Sequence, residues 1–108
     1  MQIKFTDNSK EVSDNIKAAL LRGLETCGLV AEGYAKKLAP VDTGNLRNSI
    51  THDVDDGEPA VYIGTNVEYA PYQELGTINM TANPFLKPAV ADHANEYRKI
   101  IENELKNG

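Results

Sequence analysis

The sequence predicts an α+β domain in which a long N-terminal helix packs on a small antiparallel sheet, with a second helix at the C-terminus. Three observations predict it: a helical repeat of apolar residues over residues 9–38, alternating residues on both sides of an acidic turn at 55–58, and a second helical repeat near the end. The chain has 108 residues, 41% of them hydrophobic, which suits one domain with one modest core. We therefore expect residues 1–108 to form a single domain.

The long helix is the first large element. Ile3 and Phe5 alternate with polar residues, which predicts a short opening strand before it. From about Ser9 to Leu38, apolar residues recur at steps of three and four, the period of an amphipathic helix. Each glycine inside such a helix costs about 1 kcal/mol relative to alanine, so we expect a close neighbour or a bend at these positions. The glycines are Gly23, Gly28 and Gly33.

A tight turn is predicted to end this helix. Pro40 stops it, because the residue before a proline avoids helical angles. The following Asp-Thr-Gly is turn chemistry, in which the Asp42 carboxylate accepts hydrogen bonds from backbone amides and glycine adopts a positive φ. We expect four residues to be structural here: Pro40, Asp42, Thr43 and Gly44.

The same tripeptide is also the signature of aspartic peptidases, whose retroviral members are small dimers. Two paired carboxylates then share one proton, so that one acts as a base and the other as an acid. That family is almost all β, and its tripeptide follows a strand, whereas Asp42 follows a predicted helix and a proline. We favour the turn and keep a small dimeric aspartic-peptidase-like hydrolase using Asp42 as an alternative.

A β-hairpin is predicted next. Residues 46–54 alternate, residues 55–58 form an acidic loop, and residues 60–65 return as the second strand. An isolated hairpin is barely stable in water, so this one must pack on the long helix. One face of the first strand is predicted to carry Leu46, Asn48, Ile50, His52 and Val54.

The C-terminal half contains a segment that is harder to interpret, residues 66–83. Val67–Leu75 predicts a helical turn that ends at Gly76, and a final helix follows with Pro88 near its first turn. Tyr69 and Tyr72 lie in this segment. Tyrosine is favoured at protein interfaces because it offers apolar area and a polar tip, but the same residues also fit a cover over the core.

The charge distribution restricts the partners. The net charge is −5, and residues 41–85 contain one base, Arg47, against seven acids. A nucleic-acid surface needs clustered positive charge, so we expect no nucleic-acid partner, and an acidic surface favours a basic or mixed protein partner. No apolar stretch is long enough to cross a membrane. The single cysteine, Cys27, fits a reducing cytoplasm.

Metal and cofactor signatures do not fit the sequence. Counted from Asp53 as an EF-hand loop, Gly57 falls at position five and Glu58 at position six, which is the wrong register. His52 and His93 have no cysteine or histidine at a ligand spacing. We expect no metal, no cofactor and no catalytic residue.

Taken in order, four blocks of the sequence resemble the small neck and minor tail proteins of long-tailed phages and prophages, the tail-completion or head–tail joining family. One departure is Leu75, where that family often has an aromatic residue. The blocks are AKKLAPVDTGNLRNSI at 35–50, VYIGT at 61–65, YAPYQELGT at 69–77 and PFLKPA at 84–89.

This resemblance implies an α+β fold and a structural subunit of a phage particle with no catalysis. It implies assembly as a ring of roughly six copies, contacts with other phage neck and tail proteins, and a passage from the host bacterial cytoplasm into the virion. A soluble protein-binding module is a further alternative. Because binding usually lies in long loops, we expect the contacts at Asp55, Asp56, Glu58, Tyr69, Tyr72, Glu74 and Thr77.

Overall fold

The computed structural model describes residues 2–6, 14–39, 45–57, 59–78 and 81–107, with the backbone alone at 4–6, 45 and 107. A long N-terminal helix, a three-stranded antiparallel sheet and C-terminal helices confirm the predicted α+β class. The elements are β1 (Gln2–Thr6), α1 (Asp14–Leu38), α2 (Asn45–Ser49), β2 (Thr51–Asp55), β3 (Ala60–Gly64), α3 (Ala70–Leu75), α4 (Leu86–Ala91) and α5 (Ala94–Asn107).

The sheet has the strand order β1-β3-β2, with β3 at its centre. Both pairings are antiparallel, and Ile63 of β3 lies opposite Ile3 on one side and His52 on the other. Val61 and Ile63 are fully buried, because side chains alternate along a strand and these two face the helices. The predicted hairpin and the predicted opening strand are both confirmed.

The core lies between α1, the sheet and the C-terminal helices α4 and α5. The face of α1 that packs here is rich in small residues, which permit close approach of the neighbouring elements. Phe85 and Leu86, where α4 begins, fill the centre and are fully buried; each such burial stabilises the fold by about 1.5–3 kcal/mol. At the edge of this core, the Tyr34 ring of α1 stacks on the His93 ring with 3.6 Å between their centres, so this histidine packs against α1.

Two of the three helix glycines lie at close contacts, as predicted. A Cβ at Gly28 would come within 2.5 Å of His52 Cδ2 and 2.9 Å of Val61 Cγ2, and a Cβ at Gly23 within 3.3 Å of the Ile101 Cα. At Gly33 nothing lies within 4 Å. The hairpin therefore approaches α1 so closely at Gly28 that a side chain would displace it.

Two predicted elements are wrong in detail. The strand expected over residues 46–54 begins as the helix α2, and only Thr51–Asp55 are extended. Leu46 and Ile50 are both buried, and their spacing of four fits one face of a helix as well as one face of a strand. The single C-terminal helix is two helices that meet at Asp92, where the backbone keeps helical angles (φ −75°, ψ −11°), so the apolar repeat continues through the break.

The predicted turn after α1 lies outside the described residues, as does the predicted helix start near Ser9. The turn consists of Pro40, Asp42, Thr43 and Gly44, and the structure describes the chain again from Asn45. Its structural role therefore stays a prediction.

Candidate interaction surface

The segment after β3 reverses direction through α3. Ala70 is buried and anchors the start of this helix, and Pro71 occupies its first turn, a position where a proline needs no partner for a missing amide. Gly76 ends the helix with φ 79°, in the left-handed region that glycine adopts without strain. The Asn83 amide donates to the Gln73 carbonyl at 2.7 Å, so the returning chain is connected to α3 as well.

Glu74 connects this segment to α4 from inside the fold. Its side chain is buried, and its carboxylate accepts hydrogen bonds from the amides of Phe85 (3.0 Å), Leu86 (2.9 Å) and Lys87 (3.0 Å). These amides begin α4 and have no partner within the helix, and the positive end of its dipole favours a carboxylate there. We expected Glu74 at a contact surface, but the structure places it in the interior as a helix cap.

The outer side of the same segment is apolar and exposed. We call the side chains of Tyr69, Tyr72, Leu75 and Ile78 the α3 patch. Leu75 is 73% exposed and Ile78 102%, while Tyr69 and Tyr72 are 39% and 57% exposed. Contiguous exposed apolar groups mark interaction sites, and aromatic residues are enriched at interfaces. Both tyrosines are partly exposed, Tyr72 more than Tyr69, so their part in a contact surface stays a prediction.

A groove continues the α3 patch across the surface. It has a volume of about 550 Å³, and it is lined by Ile3, Glu74, Leu75, Pro84 and Lys87. Most of its lining is apolar, and Leu75 belongs to both the patch and the groove. Together they offer a partner an apolar surface with a recess for a side chain.

The acidic residues expected at the contact surface lie elsewhere. Asp56 is exposed after the end of β2, and Asp55 Oδ1 accepts a hydrogen bond from the Gly57 amide at 3.0 Å. Glu58 lies outside the described residues, and Thr77 is exposed next to the α3 patch. The acidic turn and the α3 patch lie beyond opposite ends of β3, a separation of at least roughly 13 Å along the strand. They therefore form two surfaces.

A second cluster, which sequence reasoning missed, connects β2 to α1. The His52 ring lies between two carboxylates of α1: Nε2 is 2.6 Å from Glu25 Oε1 and Nδ1 is 2.6 Å from Glu32 Oε2. Lys36 Nζ also donates to Glu32 Oε1 at 2.8 Å. The three groups form a carboxylate–imidazole–carboxylate bridge between helix and hairpin.

The pKa values of this bridge follow from its partners. Burial of the His52 ring works against its charged form, but the hydrogen bonds to Glu25 and Glu32 outweigh it and raise the pKa of His52. Burial likewise works against the charged form of Glu32, and the bonds to Lys36 and His52 outweigh it and lower the pKa of Glu32. Both shifts favour the charged forms of His52 and Glu32. The signal was in the sequence, since Glu25 and Glu32 are two helical turns apart and His52 shares a strand face with Val54.

This bridge also limits what the nearby hydroxyl groups can do chemically. A groove of about 540 Å³ on the sheet is lined in part by Ser49, His52 and Thr65. Both ring nitrogens of His52 are already bonded to carboxylates, and the Ser49 hydroxyl bonds to the Leu46 carbonyl at 2.7 Å and to the Thr65 hydroxyl. A serine nucleophile needs an adjacent base, and His52 does not serve Ser49 as one.

The peptidase, metal and membrane hypotheses concern particular parts of the chain. Asp42, the residue of the peptidase alternative, lies outside the described residues. Within the ranges that the structure describes, no group of three or more histidine, cysteine, aspartate or glutamate side chains is placed to bind a metal ion. No helix in the described part of the chain has the length and apolar character needed to cross a membrane.

Comparison with known protein families relates the chain to a family of phage tail components. The model of the family described as HK97-gp10-like, "Bacteriophage HK97-gp10, putative tail-component", matches residues 3–76. This range runs from β1 through α3 and covers about two thirds of the chain. No curated protein and no solved structure matches the chain.

Proposed function

Because the chain belongs to the HK97-gp10-like family of phage tail components, we propose that it is a structural subunit of a tailed-phage or prophage particle. Its proposed task is head–tail joining or tail completion through protein–protein contacts, without catalysis. The observation that carries the proposal is the α3 patch, where Leu75 and Ile78 are 73% and 102% exposed. Glu74 anchors this segment to the start of α4 through hydrogen bonds from backbone amides. An apolar surface anchored by Glu74 suits assembly, because fixing a surface before binding reduces the conformational freedom lost when a partner binds.

The two separate surfaces support assembly as a ring. When the acidic turn contacts a different face of a second copy, the α3 patch is left for contacts with other tail proteins. Contacts between unlike faces are heterologous, and they generate a closed ring when the rotation between copies closes. We propose a ring of roughly six copies, with phage neck proteins on one side and the tail on the other. Assembly takes place in the host bacterial cytoplasm, and the ring then stays in the virion.

The test is complementation of a phage that lacks this gene. The triple variant Tyr72→Ser, Leu75→Ser, Ile78→Ser removes the exposed apolar groups without touching the core. Truncation of a hot-spot residue costs about 2 kcal/mol or more. Two such losses in the triple variant weaken binding by more than about a hundredfold, and we expect the titre of infectious particles to fall by at least as much. Electron microscopy of the lysate is expected to show unjoined heads and tails.

The matched control is Leu29→Ser, since Leu29 is 57% exposed on α1 and lies outside the patch. It is expected to give a normal titre. A normal titre for the triple variant, with its thermal unfolding unchanged, contradicts the proposal.

Substitution Asp42→Asn separates this proposal from the hydrolase alternative. A structural turn predicts a stability loss of about 1 kcal/mol from the weakened hydrogen bond and continued particle formation. Loss of particle formation with an unchanged unfolding temperature would instead favour a catalytic aspartate.

A further inference from the structure

A basic cleft lies at the C-terminal end of α1. Lys36, Lys37 and Arg47 line it, and its volume is about 260 Å³. Arg47 Nε donates to the Lys36 carbonyl at 3.0 Å, which connects the guanidinium to the end of the helix. Lys37 is exposed, and its Nζ lies 5.9 Å from the Tyr34 ring. Leu38, 43% exposed, adds an apolar group next to the cleft. We call Lys36, Lys37 and Arg47 the basic cleft.

The opposite charge lies at the turn that connects β2 to β3. Two exposed carboxylates lie here: Asp56 in the acidic turn and Asp53 on β2, just before the turn. Val54, between them, packs against Leu20 and Leu24 of α1, so the turn lies over the N-terminal half of that helix. The distance along α1 from Leu24 to Lys36 is roughly 18 Å. The acidic turn therefore does not reach the basic cleft of its own copy.

We propose that the basic cleft of one copy receives the acidic turn of a second copy. This inference rests on the proposed function, which requires copies to contact one another. The chain as a whole carries a net charge of −5, so two copies repel unless opposite charges meet locally. The basic cleft and the acidic turn supply that local attraction. Lys36 is ion-paired with Glu32 of its own copy, so Lys37 and Arg47 are the bases that face the two exposed carboxylates of the next copy.

The geometry makes this contact heterologous. The described part of the molecule is elongated, 50 × 22 × 21 Å, and the two charged surfaces lie apart along α1. A contact that joins unlike surfaces repeats from copy to copy and closes as a ring or continues as a filament. Charged contacts fix the orientation and register of partners more than they add affinity. The acidic turn and basic cleft are therefore suited to set the register of the ring, and the α3 patch stays available for other tail proteins.

Charge reversal tests the pairing. Lys37→Glu and Asp56→Lys each place like charges in the contact and are expected to weaken self-association at least about tenfold, since close charge pairs are coupled by about 1.5 kcal/mol or more. The double variant restores opposite charges between copies, so its self-association is expected to return close to that of the natural chain. Sedimentation velocity measures this at low and high salt, and screening is expected to weaken the natural chain as salt rises.

The control is Lys99→Glu, which makes the same charge change at an exposed lysine on α5. It is expected to leave self-association unchanged. The same variants are measured by phage complementation, so that a contact that forms only inside the particle is detected by its effect on titre.

The outcomes separate the inference from the proposed function. If each single variant loses association or titre and the double variant recovers it, the second copy is the occupant. If the double variant is no better than the single ones, the cleft contacts a different acidic protein or a phosphate backbone, and the inference is overturned. If none of the charge variants changes either readout, the inference is also overturned, while the α3-patch variants still decide the proposed function.

Discussion

Substitution of Gly28 by alanine tests how closely the hairpin packs on α1. Alanine in a helix gains about 1 kcal/mol over glycine. Against this gain, the new Cβ would lie 2.5 Å from His52 Cδ2 and 2.9 Å from Val61 Cγ2, and overpacking of this kind costs about 1–3 kcal/mol. Moving the His52 ring also weakens its hydrogen bonds to Glu25 and Glu32. Loss of one such bond costs about 1.5–3 kcal/mol when donor or acceptor is charged, and less where water replaces the lost partner. We expect Gly28→Ala to destabilise the fold by about 2–4 kcal/mol.

Gly33→Ala is the matched control, because it is the same substitution five residues further along the same helix. No atom lies within 4 Å of its Cβ position, so only the propensity gain remains, about 0.5–1 kcal/mol of stabilisation. Urea unfolding followed by circular dichroism measures both free energies of unfolding, and thermal unfolding measures both melting temperatures. The melting temperatures are expected to differ by at least about 10 °C, since 1 kcal/mol corresponds to about 4–8 °C in a domain near this size. Equal stability of the two variants would refute the close contact at Gly28.

Three further predictions concern buried polar groups. Glu74→Gln leaves one acceptor oxygen for three amide donors, so thermal unfolding is expected to show a loss of about 2–4 kcal/mol; an unchanged melting temperature would contradict the cap. The raised pKa of His52 stabilises the fold below the ordinary histidine pKa of about 6.5, and this stability is lost as the pH rises through the raised pKa. The lowered pKa of Glu32 stabilises the fold above the ordinary glutamate pKa, and this stability is lost as the pH falls through the lowered pKa. Urea midpoints are therefore expected to peak near pH 5–6, and His52→Gln is expected to remove the decline on the alkaline side; an equal decline in both proteins would count against the bridge. Burial, with a smaller effect from Glu96, raises the pKa of Cys27 to about 11, so a disulfide reagent is expected to modify Cys27 only as fast as the protein unfolds, and rapid modification of the folded protein would be the contrary result.

The elements that the sequence predicted best are those in which many residues repeat one pattern. The α1 repeat spans several turns, and the alternation in β3 places Val61 and Ile63 on one buried face. The order of the strands was beyond reach, because alternation specifies a face and not a neighbour. That β1 pairs with β3 depends on contacts between residues about sixty positions apart, such as Ile3 and Ile63. The helix α2 was missed because one spacing of four between buried residues fits both structures.

The candidate surface was predicted by region but not by side chain. Charged residues are seldom buried unless paired, so a glutamate in an irregular segment is expected at the surface. Glu74 is the exception because three amides of a later helix meet its carboxylate, and their arrangement depends on the tertiary fold. The His52 bridge was accessible in principle. Two glutamates seven positions apart on one helix and a histidine on an inward strand position are both visible in the sequence, but their pairing needs the packing of hairpin on helix.

The position of Glu74 bears on which part of the chain the α3 patch requires. The family match ends at residue 76, yet the Glu74 carboxylate within it is bonded to amides at 85–87 beyond it. A chain that ended after α3 would lack the three amides that bind the Glu74 carboxylate, and it would expose the core that Phe85 and Leu86 fill. The helices after the matched region are therefore part of what fixes α3. Variation in α4 within the family is expected to change the orientation of the patch, and with it the partner that the patch accepts.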